Sequence, residues 1–503
     1  MSLALLLGVL LLVAAVQMPN RIVPGIFRLA AIAVPAMLVT AYFTVPFLIY
    51  KAYLSASPYL QRWKYDSYGA NEILGWLLKG DLFDHGRFPV MTILLVIGIV
   101  WAISKRTESA WLALVLFFGS LLVYFGRPTW GKLADLFPLH DGLLLHRFSA
   151  GVDLGAILLI GLGGEWIWRQ CAKLPAKWSP AIATLSILIL MVPALHERYV
   201  YYSSNAQMMH ETSSALAADH DAAAIIATLK SLPPARAYAG LRTNWGNDMK
   251  WGSLRFSDLL TFNQIPAVSP PYQSLSLNSD LIWRFNDNEA ADYKLFNIRY
   301  VIAPSNLKLT TFFAPIKKTP RYTLYQVESG GYAQFAHIAD WKTADSQRSL
   351  FDQNLAWMFS ADPAASRFIR WSYLGTDPGP GLNPWDLDGT VINENVKPGQ
   401  IDEIVRARHD STLVFKMTYH PDWHLEIDGR EHPGFMVSPS FIGVTVPAGT
   451  HVVSANYESN RLKDVLLILA PIIIILTLLF GASLSARLEQ HLLRRWPIAG
   501  PES

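Results

Sequence analysis

Apolar residues are spread very unevenly along this chain. Long apolar runs fill residues 1–195, residues 196–460 mix apolar and polar positions as a water-exposed domain does, and a last apolar run covers 465–484. A bilayer core takes about 20 helical residues, with a range of roughly 17–25. On that scale seven stretches are candidate spans: 2–17, 29–50, 88–104, 109–126, 150–168, 179–195 and 465–484. The third and fourth are short enough to form a tilted or re-entrant hairpin.

Between the sixth and seventh spans the periodicity changes. Met208, Leu216, Ala223, Ile226 and Leu229 recur at helical spacing, which predicts an amphipathic helix over 208–231 ended by Pro233-Pro234. Arg236 to Ser253 reads as a strand entering a loop rich in Gly, Asn and Trp. Asp287 to Phe296 predicts a short helix leading into a strand from Ile298 to Ala303. A further strand surrounds Tyr322 to Val327, and a helix covers 345–358. Gly375 to Gly389 is a Gly/Pro-rich linker. Beyond it, Tyr419 to Gly429 reads as a strand, an Asp428-Gly429 turn and a return strand. Gly443 to Tyr457 reads as a strand, a Pro447-Ala448-Gly449 turn and a second strand.

These patterns predict a polytopic α-helical membrane protein of about seven spans, with an extracytoplasmic α/β region and a membrane-proximal antiparallel β-sandwich. The expected division is 1–195 as six spans with outward loops 51–87 and 127–149, 196–372 as the α/β domain and 373–389 as linker. The β-sandwich then takes 390–460, and the last helix with its tail takes 461–503.

Composition supports a membrane protein: 51% of residues are hydrophobic and 16% charged. A net charge of +3, without a basic patch interleaved with aromatics, argues against a nucleic-acid partner. The single cysteine, Cys171, lies between two apolar runs, so the aqueous region is held without disulfides. Arg21 and Arg28, Lys105 and Arg106, Arg169, Lys173 and Lys177, and Arg487, Arg494 and Arg495 all fall on one side of a seven-span arrangement. The positive-inside rule makes that side cytoplasmic and turns 196–460 outward. The expected location is a bacterial cytoplasmic membrane, in contact with its lipids. The first apolar run has no basic residue ahead of it, which is unlike a signal peptide and would put the N-terminus outside.

Three motifs carry a family resemblance. Tyr419, Pro421, Trp423, Asp428, Gly429, Gly443, Pro447, Gly449 and His451 form a block that resembles the membrane-proximal domain of YfhO-like bacterial membrane proteins. Leu295 to Pro304 is similar to a segment of the same family. Leu143 to Gly151, LLLHRFSAG, resembles membrane proteins labelled as related to 6-pyruvoyl-tetrahydropterin synthase. Both groups resemble the GT-C superfamily of polytopic glycosyltransferases. The resemblance implies a polyprenyl-phosphate-linked sugar as donor, an envelope glycan or lipid as acceptor, and chemistry at the outer membrane face. GT-C enzymes carry a catalytic acid in their first outward loop and have about eleven or more spans. Here the first connector, 18–28, has no acid and is assigned inward, so the chain resembles the C-terminal portion of such an enzyme.

The outward loops hold the candidate chemistry. Asp81 or Asp84 is the candidate base for a sugar hydroxyl, and Asp81, Asp84 and His85 together are candidate ligands for a divalent metal such as Mg or Mn. The alternative is a juxtamembrane turn with Asp81 as a helix cap and Arg87 at the interface. In the second loop Arg147 is the candidate clamp for a lipid phosphate, with His140, Asp141 and His146 as hydrogen-bonding groups beside it and Arg87 of the first loop as a further phosphate- or substrate-binding candidate; otherwise Arg147 reaches headgroups or pairs with Asp153. Asp153 and Glu165 lie near span ends, where an ordinary interfacial role suffices. In the aqueous region Trp245 and Trp251 are candidates to stack on a sugar ring, with Asn244, Asn247 and Asp248 bonding its hydroxyls. The alternative is a packed loop. Phosphate-loop, nucleophile-elbow, dinucleotide-binding and zinc-helix patterns are absent. Two functions compete: a GT-C-like glycosyltransferase, whole or in part, and a non-catalytic membrane protein whose outer domain binds glycan or a partner.

Overall fold

A computed structural model describes residues 22–55, 62–105, 107–136, 143–173, 178–269, 276–375, 389–458 and 460–495. Two compact units emerge. The first comprises 1–37, 60–206 and 473–503; the second comprises 38–59 and 207–472.

Among the described residues five helices are long and apolar enough to cross a membrane: Gly25–Ile49, Glu108–Phe125, Leu145–Ala172, Ser179–Ala217 and Arg461–Leu488. Val90–Lys105 is a shorter apolar helix. The expected span at 2–17 lies outside the described residues.

In the first unit, helices Val90–Lys105 and Ser149–Ala172 cross at glycines. A Cβ on Gly98 would meet the Leu159 carbonyl oxygen at 1.8 Å, and one on Gly163 would meet the Leu94 oxygen at 2.1 Å. Small residues let two backbones approach this closely, which maximises packing where lipid supplies no hydrophobic drive. Gly155 serves the same purpose against Phe117 of the helix Glu108–Phe125. Glu165 sits between Lys105 and Arg169, at 2.7 and 2.8 Å, and so has an ion-pairing role.

Among the described residues the second unit holds a four-stranded sheet, a five-stranded sheet, a closed barrel and a two-stranded ribbon of Lys250–Trp251 with Leu254–Arg255. Strands Arg236–Tyr238, Ile298–Pro304, Tyr322–Gln326 and Ala314–Lys318 lie in that spatial order; the first pair is parallel and the others antiparallel. Ile298–Pro304 is buried on both faces, as its continuous apolar run requires. The predicted helix over 208–231 divides in two: one helix runs to Ala217 and the next covers His220–Ser231. Asp219 causes the break, since its side chain accepts the Ala222 N–H and caps the second helix.

Strands Ala333–Ala344, Arg367–Tyr373, Phe435–Val437, Phe441–Val446 and Ser411–Thr418 close a barrel. Strands Gly389–Lys397, Gln400–Ala407, Gly449–Tyr457, Trp423–Ile427 and Arg430–His432 form an antiparallel sheet. Leu413, Phe415, Ile442 and Val444 of the barrel share one buried core with Ile401, Val405, Leu425 and Val453 of the sheet, which makes a sandwich. The barrel takes strands from both sides of the 373–389 segment, so strand pairing does not divide the chain at the expected domain boundary.

The Asp428-Gly429 turn forms as predicted, with Ile427 opposite Arg430 and both turn residues at positive φ, 49° and 75°. The second expected hairpin does not. Phe441–Val446 pairs with Ser411–Thr418 and Phe435–Val437, whereas Gly449–Tyr457 pairs with Gln400–Ala407 and Trp423–Ile427. Pro447-Ala448 is a corner where the chain passes from barrel to sheet, held by the Ala448 N–H donating to Asp410 at 3.0 Å.

Candidate membrane-surface site

The two loops expected to face outward fold together in the first unit. The Gly69 N–H donates to the Phe125 carbonyl at 3.0 Å, and the Ala70 N–H donates to the Thr129 hydroxyl at 2.6 Å. The Ser67 hydroxyl reaches the Tyr124 carbonyl, and Arg127 pairs with Asp66 at 3.2 Å. His146 Nδ1 lies 2.5 Å from the Lys64 carbonyl oxygen, so its ring donates there and stands edge-on to Trp63. His146 is thereby a brace between the loops.

Arg147 follows at the end of a short turn, Leu145–Phe148, that leads into the helix Ser149–Ala172. It is exposed, and its guanidinium makes no hydrogen bond or ion pair with the described residues. Leu82 and Phe83 of the 81–87 turn pack against the buried cluster that includes Phe148 and Val152 at the start of this helix. His140 and Asp141 lie outside the described residues.

Asp84 is placed differently from Asp81. It is 1% exposed, and its carboxylate accepts the Met91 N–H at 2.9 Å, the Thr92 N–H at 2.9 Å and the Thr92 hydroxyl at 2.8 Å. Both oxygens are spent on the first turn of Val90–Lys105, where a negative charge also opposes the positive helix end. The expected cap is thus Asp84, not Asp81. Asp81 is exposed with no side-chain bond to the described residues. Arg87 donates to the Asp84 carbonyl at 2.8 Å and pairs with Glu197 at 2.5 Å. Asp81, Asp84 and His85 do not form a ligand set, and no group of three potential ligand side chains suited to a metal occurs among the described residues.

In the second unit the candidate sugar platform is dismantled by packing. Trp251 is 3% exposed, and its Nε1–H donates to Asp219 at 3.0 Å. Trp245 donates to the Ile302 carbonyl at 3.1 Å and packs edge-on to Tyr238. Asn244 turns inward to Asp287 and to the backbone of Leu241 and Gly246. Asn247 and Asp248 are exposed, while the indole N–H groups of Trp245 and Trp251 are both spent inside the unit, as in the packed-loop alternative.

One cluster was passed over in the sequence. Tyr50, His420, Asp422 and Asn460 meet although 410 positions separate the first from the last. Its only local sign is the polar pair His420 and Asp422 inside the Tyr-x-Pro-x-Trp run, which reads as a strand start when Tyr50 is not known to lie beside it.

No family model matches this chain, and no curated protein matches it. Among solved structures, the arabinofuranosyltransferase AftD from mycobacteria aligns with a TM-score of 0.33 and 13% identity over 84% of this chain and 41% of that one. The chain spans less than half the length of that structure. What stands on its own evidence is a chain with several helices suited to crossing a membrane and a β-rich second unit.

Proposed function

We propose that this chain is a GT-C-like membrane glycosyltransferase, or the C-terminal part of one, that moves a sugar from a polyprenyl-phosphate donor to an envelope glycan or lipid. The supporting observation is the joint folding of residues 62–70 with 124–130 and with His146, beside which Arg147 stands exposed and without a side-chain partner among the described residues at the start of a long helix. A guanidinium offers two parallel donors to phosphate oxygens, and a helix start adds partial positive charge. Asp81, whose carboxylate has no side-chain bond among the described residues, is the candidate base for the acceptor hydroxyl. Asp84 takes no part in that chemistry and fixes the loop instead. In this reading the chain resides in a bacterial cytoplasmic membrane with 196–460 outside, and protease added from outside cleaves within that region.

The test is sugar transfer from a lipid-linked donor by the full chain. Arg147→Ala is expected to lower turnover about 10–100-fold, the effect of removing one charged phosphate contact. Unchanged turnover rejects the clamp. A second reading, a non-catalytic protein whose outer domain binds glycan or a partner, is favoured by the capture of Asp84, which removes one of the two candidate bases. It predicts that Asp81→Asn and Arg147→Ala leave cell-envelope assembly intact, whereas substitutions on the outer surface disturb it.

A further inference from the structure

The second unit holds a groove that neither reading uses. It has a cavity of about 260 Å³, and Tyr42, Phe43, Phe47 and Tyr50 line one side. These lie in the last two turns and at the end of Gly25–Ile49, a helix suited to crossing a membrane. Phe43 and Phe47 are 67% and 47% exposed and stack on each other at 6.2 Å. The opposite side belongs to the approach to another such helix, which begins at Arg461: Asn460 and Lys463 lie there, with His420, Asp422 and Tyr457 of the sheet beside them.

Three side chains of this groove, His420, Asn460 and Lys463, keep a donor that is unspent among the described residues. The Tyr50 hydroxyl donates to Asp422 Oδ1 at 2.5 Å and accepts an N–H of Asn460 at 2.8 Å, which leaves the second amide hydrogen of Asn460 unspent. The Asp422 N–H donates to His420 Nδ1 at 3.2 Å, so the neutral ring carries its proton on Nε2, which has no partner among the described residues. Burial holds His420 below its ordinary pKa and favours that neutral form. Lys463 is exposed, and its ammonium has no partner among the described residues. Asp422 is the only carboxylate among the lining residues; its Oδ1 is taken by Tyr50, and its Oδ2 lies 3.7 Å from His420 Nδ1, which leaves His420 Nε2 as the nitrogen that faces a ligand. Unspent donors above an open aromatic wall suit a ligand with acceptor oxygens at one end and hydrocarbon at the other. Aromatic and basic residues at the end of a membrane-crossing helix are also where lipid headgroups lie.

We propose that this groove binds the phosphate headgroup of one bilayer glycerophospholipid, with Lys463, His420 and Asn460 facing the phosphate and Phe43 and Phe47 facing the first part of the chains. The small volume, bounded by two turns of helix, fits a headgroup rather than a long carrier. The proposal depends only on the two helices crossing a membrane, and not on glycosyl transfer.

The experiment is native mass spectrometry of the full chain, purified in mild detergent and taken through delipidation. One glycerophospholipid per chain is expected to remain on the wild type and on Lys463→Arg, with at least tenfold less on Lys463→Glu of unchanged melting temperature. Lys463→Ala is read in its place if the glutamate variant fails to fold. Equal retention in all variants, no retained lipid on the wild type, or retention of polyprenyl phosphate instead overturns it. Retention is measured without sugar transfer, so its loss is distinguishable from failure of the Arg147 clamp.

Discussion

Trp251 donates its indole N–H to Oδ2 of Asp219, at 3.0 Å, and both side chains are buried. The same carboxylate accepts the Tyr322 hydroxyl at 2.8 Å and the Ala222 N–H at 3.0 Å, and pairs with Arg321. One acid therefore ties the start of a helix, a tryptophan loop and a strand of the first sheet. Removing it strands the buried donors of Trp251, Tyr322 and Ala222 at once, each at a cost of about 1–3 kcal/mol. Asp219→Ala should lower the thermal transition of the second unit strongly, and Asp219→Asn less so. Tryptophan fluorescence during heating of the full chain reads the effect, and an unchanged transition would refute this role.

The crossing of Gly98 and Gly163 makes a second expectation. A side chain at either position must push apart backbones whose carbonyls stand about 2 Å from an ideal Cβ. Gly98→Val should abolish a close crossing there, whereas Gly75→Val should not, because a Cβ at Gly75 meets nothing within 4 Å. A disulfide-crosslinking survey between the two helices distinguishes the outcomes; undiminished crosslinking in Gly98→Val would count against the crossing.

Glu403 is 0% exposed on the inward face of Gln400–Ala407, and its carboxyl faces that of Glu394, to which it donates when protonated. Burial first, and then Glu394 opposite, push it up to about 9. A carboxyl raised above its unfolded value binds more protons when folded, so its contribution declines as pH rises from about 4.5 towards 9. Lys416, which burial lowers to about 7, acts in the other direction above that pH. Glu403→Gln should remove the alkaline loss attributable to this site, so that its melting temperature exceeds that of the wild type increasingly between pH 6 and pH 9, roughly the window set by these shifts. Parallel pH profiles of the two proteins would contradict this.

Asp428 and His451 form a weaker, surface link. His451 Nδ1 lies 2.6 Å from Asp428 Oδ2, and Asp428 Oδ1 accepts the Val452 N–H at 2.9 Å. The hydrogen bond to Asp428 raises the histidine, and the same bond lowers the aspartate. The raised histidine contributes fully below its unfolded pKa of about 6.5 and loses that contribution as pH rises through its folded value. The lowered aspartate contributes above about 3.9 and loses it as pH falls. The pair is thus strongest between those limits. His451→Ala should cost about 0.5–1 kcal/mol at pH 5.5 and less at pH 8, as expected for exposed ion pairs. An equal cost at both pH values would mean that no charge is involved.

Local chemistry was the part of this protein legible in its sequence. The Asp428-Gly429 turn needs positive φ at two adjacent residues, and that residue pair announces it. The helix over 347–358 and the strand from Ile298 likewise follow from spacing alone. What was not legible depends on distant partners. Trp251 looks like a sugar platform until Asp219, 32 positions earlier, claims its N–H. Asp84 looks like a base until the backbone of Met91 and Thr92 takes up its oxygens. The Pro447-Ala448 corner looks like a hairpin because the sequence shows two strands and a turn but not which strands they pair with.

The barrel has a consequence for how the second unit is put together. Ala333–Ala344 has its antiparallel partner in Ser411–Thr418, and Arg367–Tyr373 has one in Phe435–Val437. A growing chain that has passed the 373–389 segment thus still carries unsatisfied strand edges, which wait for residues synthesised much later. A peptide bond cut in that segment would not free two independent pieces: the halves would stay zipped along four strands and co-purify as a nicked but assembled unit.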